Sequence, residues 1–272
     1  MADGVRLSFA GGNLQDLVDI YYPLGNYTRT DTAYSSRVKG ENGPTIVQSD
    51  RWVGPGLLRL IGMMRQHVEK NVKDGVVKLT KGNPAFNGFS KKILFKKQPG
   101  IEIDISAAYA TAAHKIGAVS GSILARLMSV TKESRLMIVG SLGTRKLVTE
   151  FVDGNAVDVR HEENETLRRV WKEIILEVDR TMKRLADVAG EDFLMYWTDA
   201  VFVREQAKEK VIAAAKAEGY NVKFSTVSIR KDKAGYVKTG DGRTFYVLGD
   251  AENFRDVTRK NRKQEALYGA MA

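Results

Sequence analysis

The sequence contains no cysteine among its 272 residues. Disulfide frameworks, thiolate zinc sites, iron–sulfur clusters and cysteine nucleophiles are therefore excluded. Histidine is scarce, and His67, His114 and His161 are not spaced as metal ligands. No apolar run reaches the ~18–20 residues that a membrane span needs, and the N-terminus lacks the apolar core of a signal peptide. We therefore expect a cytoplasmic protein with no membrane partner.

Positive charge is abundant and unevenly distributed. The formal net charge is +10, and ten basic residues face only two acidic ones between residues 59 and 100. Phenylalanines interleave with the basic residues, which is typical of segments that neutralise phosphates and stack bases. The alternative is a solvated face above a few core phenylalanines. The candidate nucleic-acid contacts in this segment are Lys91, Lys92, Lys96 and Lys97.

Hydrophobic periodicity predicts an α+β fold with a mostly antiparallel sheet backed by helices. Residues 1–56 have weak periodicity and are expected to be irregular with short strands. Helices are predicted over 57–72, 106–130, 164–189 and 204–218. Strands are predicted over 91–97, 101–105, 222–230 and 234–248, with Pro99-Gly100 as a turn. The apolar run 193–203 is broken only by Thr198-Asp199, which indicates a buried strand or a tight two-stranded hairpin.

Two carboxylates, Asp104 and Asp199, stand inside these apolar strand-like runs. A buried charge is costly unless it is paired or bound to a metal. A single strand Asp is usually a turn or edge residue, but two of them make a shared metal site more credible. Two Asp side chains on adjacent strands are what two-metal phosphoryl chemistry requires.

Three segments resemble, in the same order, the motifs of family B DNA polymerases. Asp104-Ile-Ser-Ala-Ala-Tyr109 resembles motif A, Asp-x-x-Ser-Leu-Tyr, with Asp and Tyr at the family spacing. The segment from Arg135 to Gly143 resembles motif B, Lys-x-x-x-Asn-Ser-x-Tyr-Gly, with Arg in place of Lys. Thr198-Asp199 matches the second half of motif C, Tyr-x-Asp-Thr-Asp-Ser, whereas Trp197 replaces the first Asp.

This resemblance implies a role for each matched residue. Asp104 and Asp199 are implied to hold two Mg²⁺ or Mn²⁺ ions, with the main-chain carbonyl of Ile105 completing the metal shell. Tyr109 is implied to lie under the incoming sugar and to exclude a 2′-hydroxyl. The implied phosphate contacts are Arg135, Arg145 and Lys146. A weaker match to the family's later Lys-x-Tyr motif adds Arg243 and Tyr246 as nucleic-acid contacts.

The resemblance also implies a domain organisation. Residues 101–250 form a palm-like catalytic domain, with a short fingers insertion over about 112–160. An irregular region, 1–56, and a basic, partly helical segment, 57–100, precede it, and a basic tail or helix, 251–272, follows it. We expect minimal fingers, no exonuclease domain and little or no thumb. Such compactness is typical of a virus or mobile element, in which case the protein acts in the cytoplasm of a host cell.

The implied function is template-directed DNA synthesis without proofreading. Its partners are primer-template DNA, a dNTP and a further replication subunit that supplies a thumb or processivity. One alternative is a non-catalytic, basic nucleic-acid-binding or virion-associated protein. The other is a primase-like or related nucleotidyltransferase, against which Tyr109 argues if it excludes ribonucleotides.

Overall fold

The structure, a computed structural model, describes residues 6–9, 12–32, 35–49, 54–80, 82–233 and 236–245. The fold is α+β, as the sequence predicts. The strands in chain order are β1 (Arg6–Phe9), β2 (Tyr27–Asp31), β3 (Ser35–Lys39), β4 (Thr45–Ser49), β5 (Asn87–Phe89), β6 (Gln98–Ser106), β7 (Arg145–Val152), β8 (Asn155–Glu163), β9 (Phe193–Trp197), β10 (Ala200–Val203), β11 (Asn221–Lys231), β12 (Val237–Thr239) and β13 (Thr244–Phe245).

The helices match most of the helical predictions. In chain order they are α1 (Leu14–Tyr21), α2 (Pro55–Lys73), α3 (Ala108–Lys115), α4 (Gly121–Met128), α5 (Lys132–Gly140), α6 (Glu165–Ala189) and α7 (Lys208–Ala217). The predicted helix 106–130 is two helices, α3 and α4, because Gly117 adopts a left-handed φ of 76° between them. Among the described helices, none is long and apolar enough to cross a membrane.

The chain divides into two compact units, and the division differs from the predicted domain boundaries. Unit 1 comprises Met1–Asp74 and Glu133–Trp171, and unit 2 comprises Gly75–Lys132 and Lys172–Ala272. The physical reason is that β7 pairs antiparallel with β2 and β8 pairs with β7. Much of the predicted fingers insertion, 112–160, thereby joins the N-terminal region, whose short strands, expected from the sequence, form a sheet with it.

Unit 1 contains a sheet with strand order β1-β4-β3-β2-β7-β8. The pairing of β1 with β4 is parallel, and the other pairings are antiparallel. Helix α1 packs its apolar side on this sheet, so that Leu14 and Val18 are buried with Val38 and Ile46. The hairpin between β7 and β8 turns at Asp153 and Gly154, both with positive φ, as a two-residue hairpin requires.

Unit 2 contains an antiparallel sheet with strand order β13-β12-β11-β6-β10-β9-β5. The sequence β6, helices, β9, β10, α7, β11 gives the spatial order β11-β6-β10-β9. This is the split β-α-β-β-α-β arrangement. The hairpin of β9 and β10 confirms the second interpretation of the run 193–203.

The two faces of the unit 2 sheet differ in chemistry. Glu102 and Asp104 share one face because they are two residues apart on β6. We call it the carboxylate face. The register of β6 with β10 places Phe202 and Ala200 on the same face. The opposite face carries Ile101, Ile103 and Ile105, each at most 3% exposed.

Helix α6 has the amphipathic character and the ends that its sequence predicts. Its apolar positions, among them Leu167, Ile174 and Met182, are fully buried. Asn164 caps its start, because the side-chain oxygen accepts the amide of Leu167 at 3.0 Å. Gly190 follows its end with a φ of 59°, which stops the helix at little cost.

Two local predictions near residue 95 are wrong. Residues 91–97 form turns and not a strand, and the side chain of Ser90 accepts the amide of Lys92 at 3.1 Å. Only Ile93 of this segment is buried, because the adjacent lysine pairs prevent an alternating pattern. Pro99 and Gly100 belong to β6 and do not form a turn, since Pro99 is paired in register with Ser228 of β11.

The N-cap of α6 can be tested by substitution. We expect Asn164→Ala to lower the free energy of unfolding by about 1 kcal/mol, since it leaves the amide of Leu167 without its acceptor. Asn164→Ser retains a capping acceptor and, like Asn164→Ala, removes the 2.8 Å hydrogen bond from the Asn164 side-chain amide to Glu69, so it is the matched control. Urea unfolding of both variants measures the effect, and equal stability of Asn164→Ala and wild type would contradict the capping role.

Candidate functional site

The two predicted metal ligands lie side by side at the centre of the unit 2 sheet. Asp104 of β6 is directly opposite Ala200, and Asp199 is the residue before it. The amide of Ile105 donates to the main-chain carbonyl of Asp199 at 2.9 Å. Because paired strands are about 4.8 Å apart, this register brings together two carboxylates that are 95 positions apart in the sequence.

The backbone is unusual beside both carboxylates. Ala107, three residues after Asp104, has a φ of 55°, and Thr198, immediately before Asp199, has a φ of 51°. This left-handed region is unfavourable for a β-branched residue such as threonine. Such strain costs about 1–3 kcal/mol and persists where the surroundings determine it. The Thr198 hydroxyl donates to Oδ1 of Asp199 at 2.9 Å, which orients that carboxylate.

A buried acid on α6 supports this turn. Asp179 is 4% exposed and accepts the amide of Phe86 at 3.0 Å and that of Ala85 at 3.3 Å. Phe86 is also left-handed, with a φ of 64°, and its carbonyl accepts the amide of Thr198 at 2.7 Å. A chain of hydrogen bonds therefore runs from the helix to the turn that carries Asp199. Asp179 also accepts from the hydroxyl of Tyr196 at 3.3 Å.

The pKa values of the two carboxyl groups are both raised above the ordinary value for aspartate. Burial raises the pKa of Asp104, and the negative charge of Asp199 raises it further. Burial also raises the pKa of Asp199, although the hydrogen bond from Thr198 opposes this shift. Two adjacent carboxylates that are hard to ionise form a donor set that a hard divalent cation favours.

A third carboxylate, Glu102, acts on both aspartates. Its negative charge contributes to the raised pKa of Asp104 and of Asp199. Arg243 holds it with two hydrogen bonds, at 2.7 and 2.6 Å, and also donates to Asp241 at 2.7 Å. The predicted nucleic-acid contact Arg243 is therefore engaged by acids next to the site. The alternation Ile-Glu-Ile-Asp-Ile already indicated that Glu102 shares a face with Asp104.

Among the described residues, no group of three or more His, Cys, Asp or Glu side chains is placed to hold a metal ion. A cation at Asp104 and Asp199 therefore depends on two carboxylates and on main-chain, water or substrate oxygens. Magnesium is commonly bound in this way, through one or two carboxylates and substrate phosphates. The donor set fits magnesium better than it fits zinc, which prefers nitrogen and sulfur ligands in closed sites.

Tyr109 lies near the carboxylates, as the resemblance implies. It is the second residue of α3, a helix that begins directly after the left-handed Ala107. Burial raises the pKa of the Tyr109 hydroxyl, and the charge of Asp199 raises it further. The hydroxyl therefore stays protonated at neutral pH.

Two lysines that sequence reasoning missed act on the site. Lys132, exposed at the start of α5, exerts a positive charge that lowers the pKa of both Asp104 and Asp199. Lys223 of β11 is directly opposite Asp104 and lowers its pKa as well. Lys132 stands three residues before Arg135, the first residue of the segment that resembles motif B.

The other predicted phosphate contacts belong to unit 1 and remain predictions. Arg135 lies in α5, and Lys146 is an exposed residue of β7. Arg145 precedes it, with its Nε 3.6 Å from a carboxylate oxygen of Glu163. The matched glycine of motif B, Gly143, lies against Trp171, since a Cβ there meets the indole ring at 2.6 Å.

The predicted nucleic-acid lysines are exposed, and one of them is paired. Lys91, Lys92, Lys96 and Lys97 are all on the surface of unit 2. Lys92 forms an ion pair with Glu191. Tyr246 and the predicted tail 251–272 lie outside the described residues.

Comparison of the chain with protein-family models, with curated proteins and with solved structures found no match. The site itself combines two partly buried, adjacent carboxylates, a strained turn that carries one of them, and two lysines within electrostatic range.

The raised carboxyl pKa values predict a gain in stability when either charge is removed. Above its folded-state pKa each group is ionised at a cost to the folded state. Stability therefore rises as pH falls through that pKa towards the ordinary value of 3.8. We expect Asp104→Asn and Asp199→Asn to be more stable than wild type at neutral pH, and the difference to vanish in acid.

Urea unfolding across this pH range measures the effect, with Asp187→Asn on the exposed side of α6 as the control. A loss of stability at neutral pH in both site variants would contradict the electrostatic account.

Because Asp179 of α6 accepts two backbone amides, we predict that removing its side chain lowers the stability of the fold strongly. We expect Asp179→Ala to lower the free energy of unfolding by about 1–3 kcal/mol, because the amides of Ala85 and Phe86 lose their acceptor. Lys183→Ala removes only the half-exposed ion-pair partner and should cost less than about 1 kcal/mol. Denaturant unfolding measures both, and equal losses would show that the ion pair matters and not the amide contacts.

Proposed function

We propose that the chain is a template-directed DNA polymerase that transfers a nucleotide from a dNTP to a primer 3′-hydroxyl. One observation carries this proposal: Asp104 on β6 and Asp199 in the turn before β10, the residues matched to motifs A and C, lie next to each other. The charge of Asp199 also raises the cost of ionising Asp104, which a divalent cation relieves. The motif matches and the strand register support the same pair of residues independently.

The architecture of unit 2 is compatible with a polymerase palm. A split β-α-β-β-α-β sheet carries Asp104 on a central strand and Asp199 in the turn before the neighbouring strand, and its opposite face is buried. This arrangement serves many unrelated functions, so the proposal depends on the site and not on the fold. We propose that the carboxylate face is the side that meets primer-template DNA.

Two Mg²⁺ or Mn²⁺ ions are the proposed cofactors. Asp104 and Asp199 would hold them, with the main-chain carbonyl of Ile105 as the further ligand that the resemblance implies. When bound, such ions stabilise the attacking and leaving oxygens of phosphoryl transfer. Both carboxyl groups must be ionised to bind a cation, so their raised pKa values make binding weaker in acid.

The surrounding residues are proposed to position the substrate. Tyr109, half-buried and within electrostatic range of Asp199, is proposed to present its ring where a 2′-hydroxyl of the incoming sugar would meet it, which favours a dNTP. Lys132 supplies positive charge close to both aspartates and is the proposed phosphate contact within unit 2. Arg135, Arg145 and Lys146 are proposed as further phosphate contacts from unit 1.

The proposed partners follow from this chemistry. They are primer-template DNA, a dNTP and a replication subunit that supplies the grip of a thumb. The proposed site of action is the cytoplasm, that of a host cell if the chain is viral. A second candidate function, a non-catalytic nucleic-acid-binding protein, is favoured by the exposed lysines at 91–97.

Primer extension tests the proposal. We expect the wild type to extend a primed DNA template with dNTPs and Mg²⁺, and EDTA to abolish the activity. Asp104→Asn and Asp199→Asn should each lower the rate by roughly a thousandfold or more, equivalent to about 4 kcal/mol. Asp187→Asn, an exposed acid on α6, is the matched control and should retain full activity.

Folding of each variant is checked by circular dichroism before its rate is compared. Undiminished extension by either site variant would contradict the assignment of the carboxylates. Absence of extension by folded wild type with Mg²⁺ or Mn²⁺, on DNA-primed and RNA-primed templates, would favour the non-catalytic alternative. Use of rNTPs without a primer would indicate a primase-like enzyme.

A further inference from the structure

An exposed loop at the far end of the carboxylate face combines positive charge with a solvent-exposed aromatic ring. The loop comprises residues 90–97, and we call it the basic loop. Phe95 at its centre is 66% exposed and Leu94 is 42% exposed. Lysine pairs flank them on both sides, at 91–92 and 96–97. Among the described residues Lys92 pairs with Glu191, whereas Lys91, Lys96 and Lys97 have no ion-pair partner.

The basic loop is fixed to the sheet at two points. Ile93 is 5% exposed and packs with Phe202 and Ile229. Both of these residues lie on the carboxylate face, since they are in register with Glu102 and Gln98. The amide of Lys231 donates to the carbonyl of Leu94 at 2.7 Å. The lysines and Phe95 are therefore presented from a loop that is bound to the same face as Asp104.

On this face, β11 carries a lysine near each of its two ends. Lys231 lies beside the loop, and Lys223 lies directly opposite Asp104. The two lysines are eight positions apart on one strand, so they share a face and are about 26 Å apart.

An exposed phenylalanine between lysines has a specific use on such a surface. Phosphate oxygens attract the lysines regardless of base sequence, whereas an unpaired base can stack on the ring. A paired base in a duplex is already stacked and has no free face for Phe95. Chemistry of this kind therefore favours a single strand over a duplex at the basic loop.

We propose that the basic loop and Lys231 bind single-stranded nucleic acid, with Lys96 and Lys97 on its phosphates and an unpaired base on Phe95. This inference deepens the proposed function, because it places the unpaired part of the template on the carboxylate face. It does not require catalysis, since the binding surface is separate from Asp104 and Asp199.

Fluorescence anisotropy with a labelled oligo(dT) of about 20 nucleotides tests the proposal, in EDTA and without dNTPs so that no catalytic step contributes. We expect Phe95→Ala to weaken binding roughly tenfold and Phe95→Trp to preserve it, because either aromatic ring can stack. Phe224→Ala is the matched control, since Phe224 is 55% exposed on the opposite face of β11. It should bind like wild type.

The lysines are tested by the salt dependence of the same binding. The double substitution Lys96→Gln/Lys97→Gln should reduce the slope of log affinity against log salt by about 1.4, or about 0.7 per lost phosphate contact. Lys216→Gln, at an exposed position of α7, should leave the slope unchanged.

Three results would overturn the proposal. They are absence of oligo(dT) binding by wild type at low salt, equal weakening by Phe95→Ala and Phe224→Ala, and binding to anionic lipid vesicles without binding to oligo(dT). Primer extension is scored separately. A wild type that binds oligo(dT) through Phe95 but does not extend a primer would support this surface and refute the polymerase.

Discussion

The pairing of β6 with β10 is the constraint on which the candidate site depends. It places Asp104 next to Asp199 through the hydrogen bond between Ile105 and the carbonyl of Asp199. The cost is electrostatic, since both carboxyl groups are partly buried and their pKa values are raised. A fold selected for stability alone has no reason to keep two such groups together, because removing a buried like-charge pair is usually favourable.

Hydrogen bonds to residues that are distant in the sequence determine the geometry of the turn that carries Asp199. Thr198 and Phe86 both occupy the left-handed region. The Thr198 amide donates to the Phe86 carbonyl, and the Phe86 amide donates to Asp179. Strain of this kind persists only where several contacts determine it. Helix α6 therefore does more than cover the sheet, because its buried acid fixes the backbone that orients a candidate metal ligand.

Local patterns predicted the elements well where one period dominates. The sequence predicted the apolar stripe of α6, its cap Asn164 and the hairpin around Thr198-Asp199. The strand predicted over 91–97 failed because adjacent lysine pairs break the alternation, and the segment became turns. The sequence pattern could not predict that residues 133–171 belong to unit 1, because the pairing of β7 with β2 joins residues more than one hundred positions apart.

The sequence by itself determined which residues have unusual chemistry: two acids in apolar strands, an aromatic five residues after the first, and a basic segment before both. Only the tertiary structure decided which of them meet. It placed Lys132 and Glu102 in electrostatic range of the aspartates, and it engaged Arg243 with Glu102. The physical reason is that strand register and pKa values depend on contacts between distant segments, whereas periodicity and capping depend on neighbours along the chain.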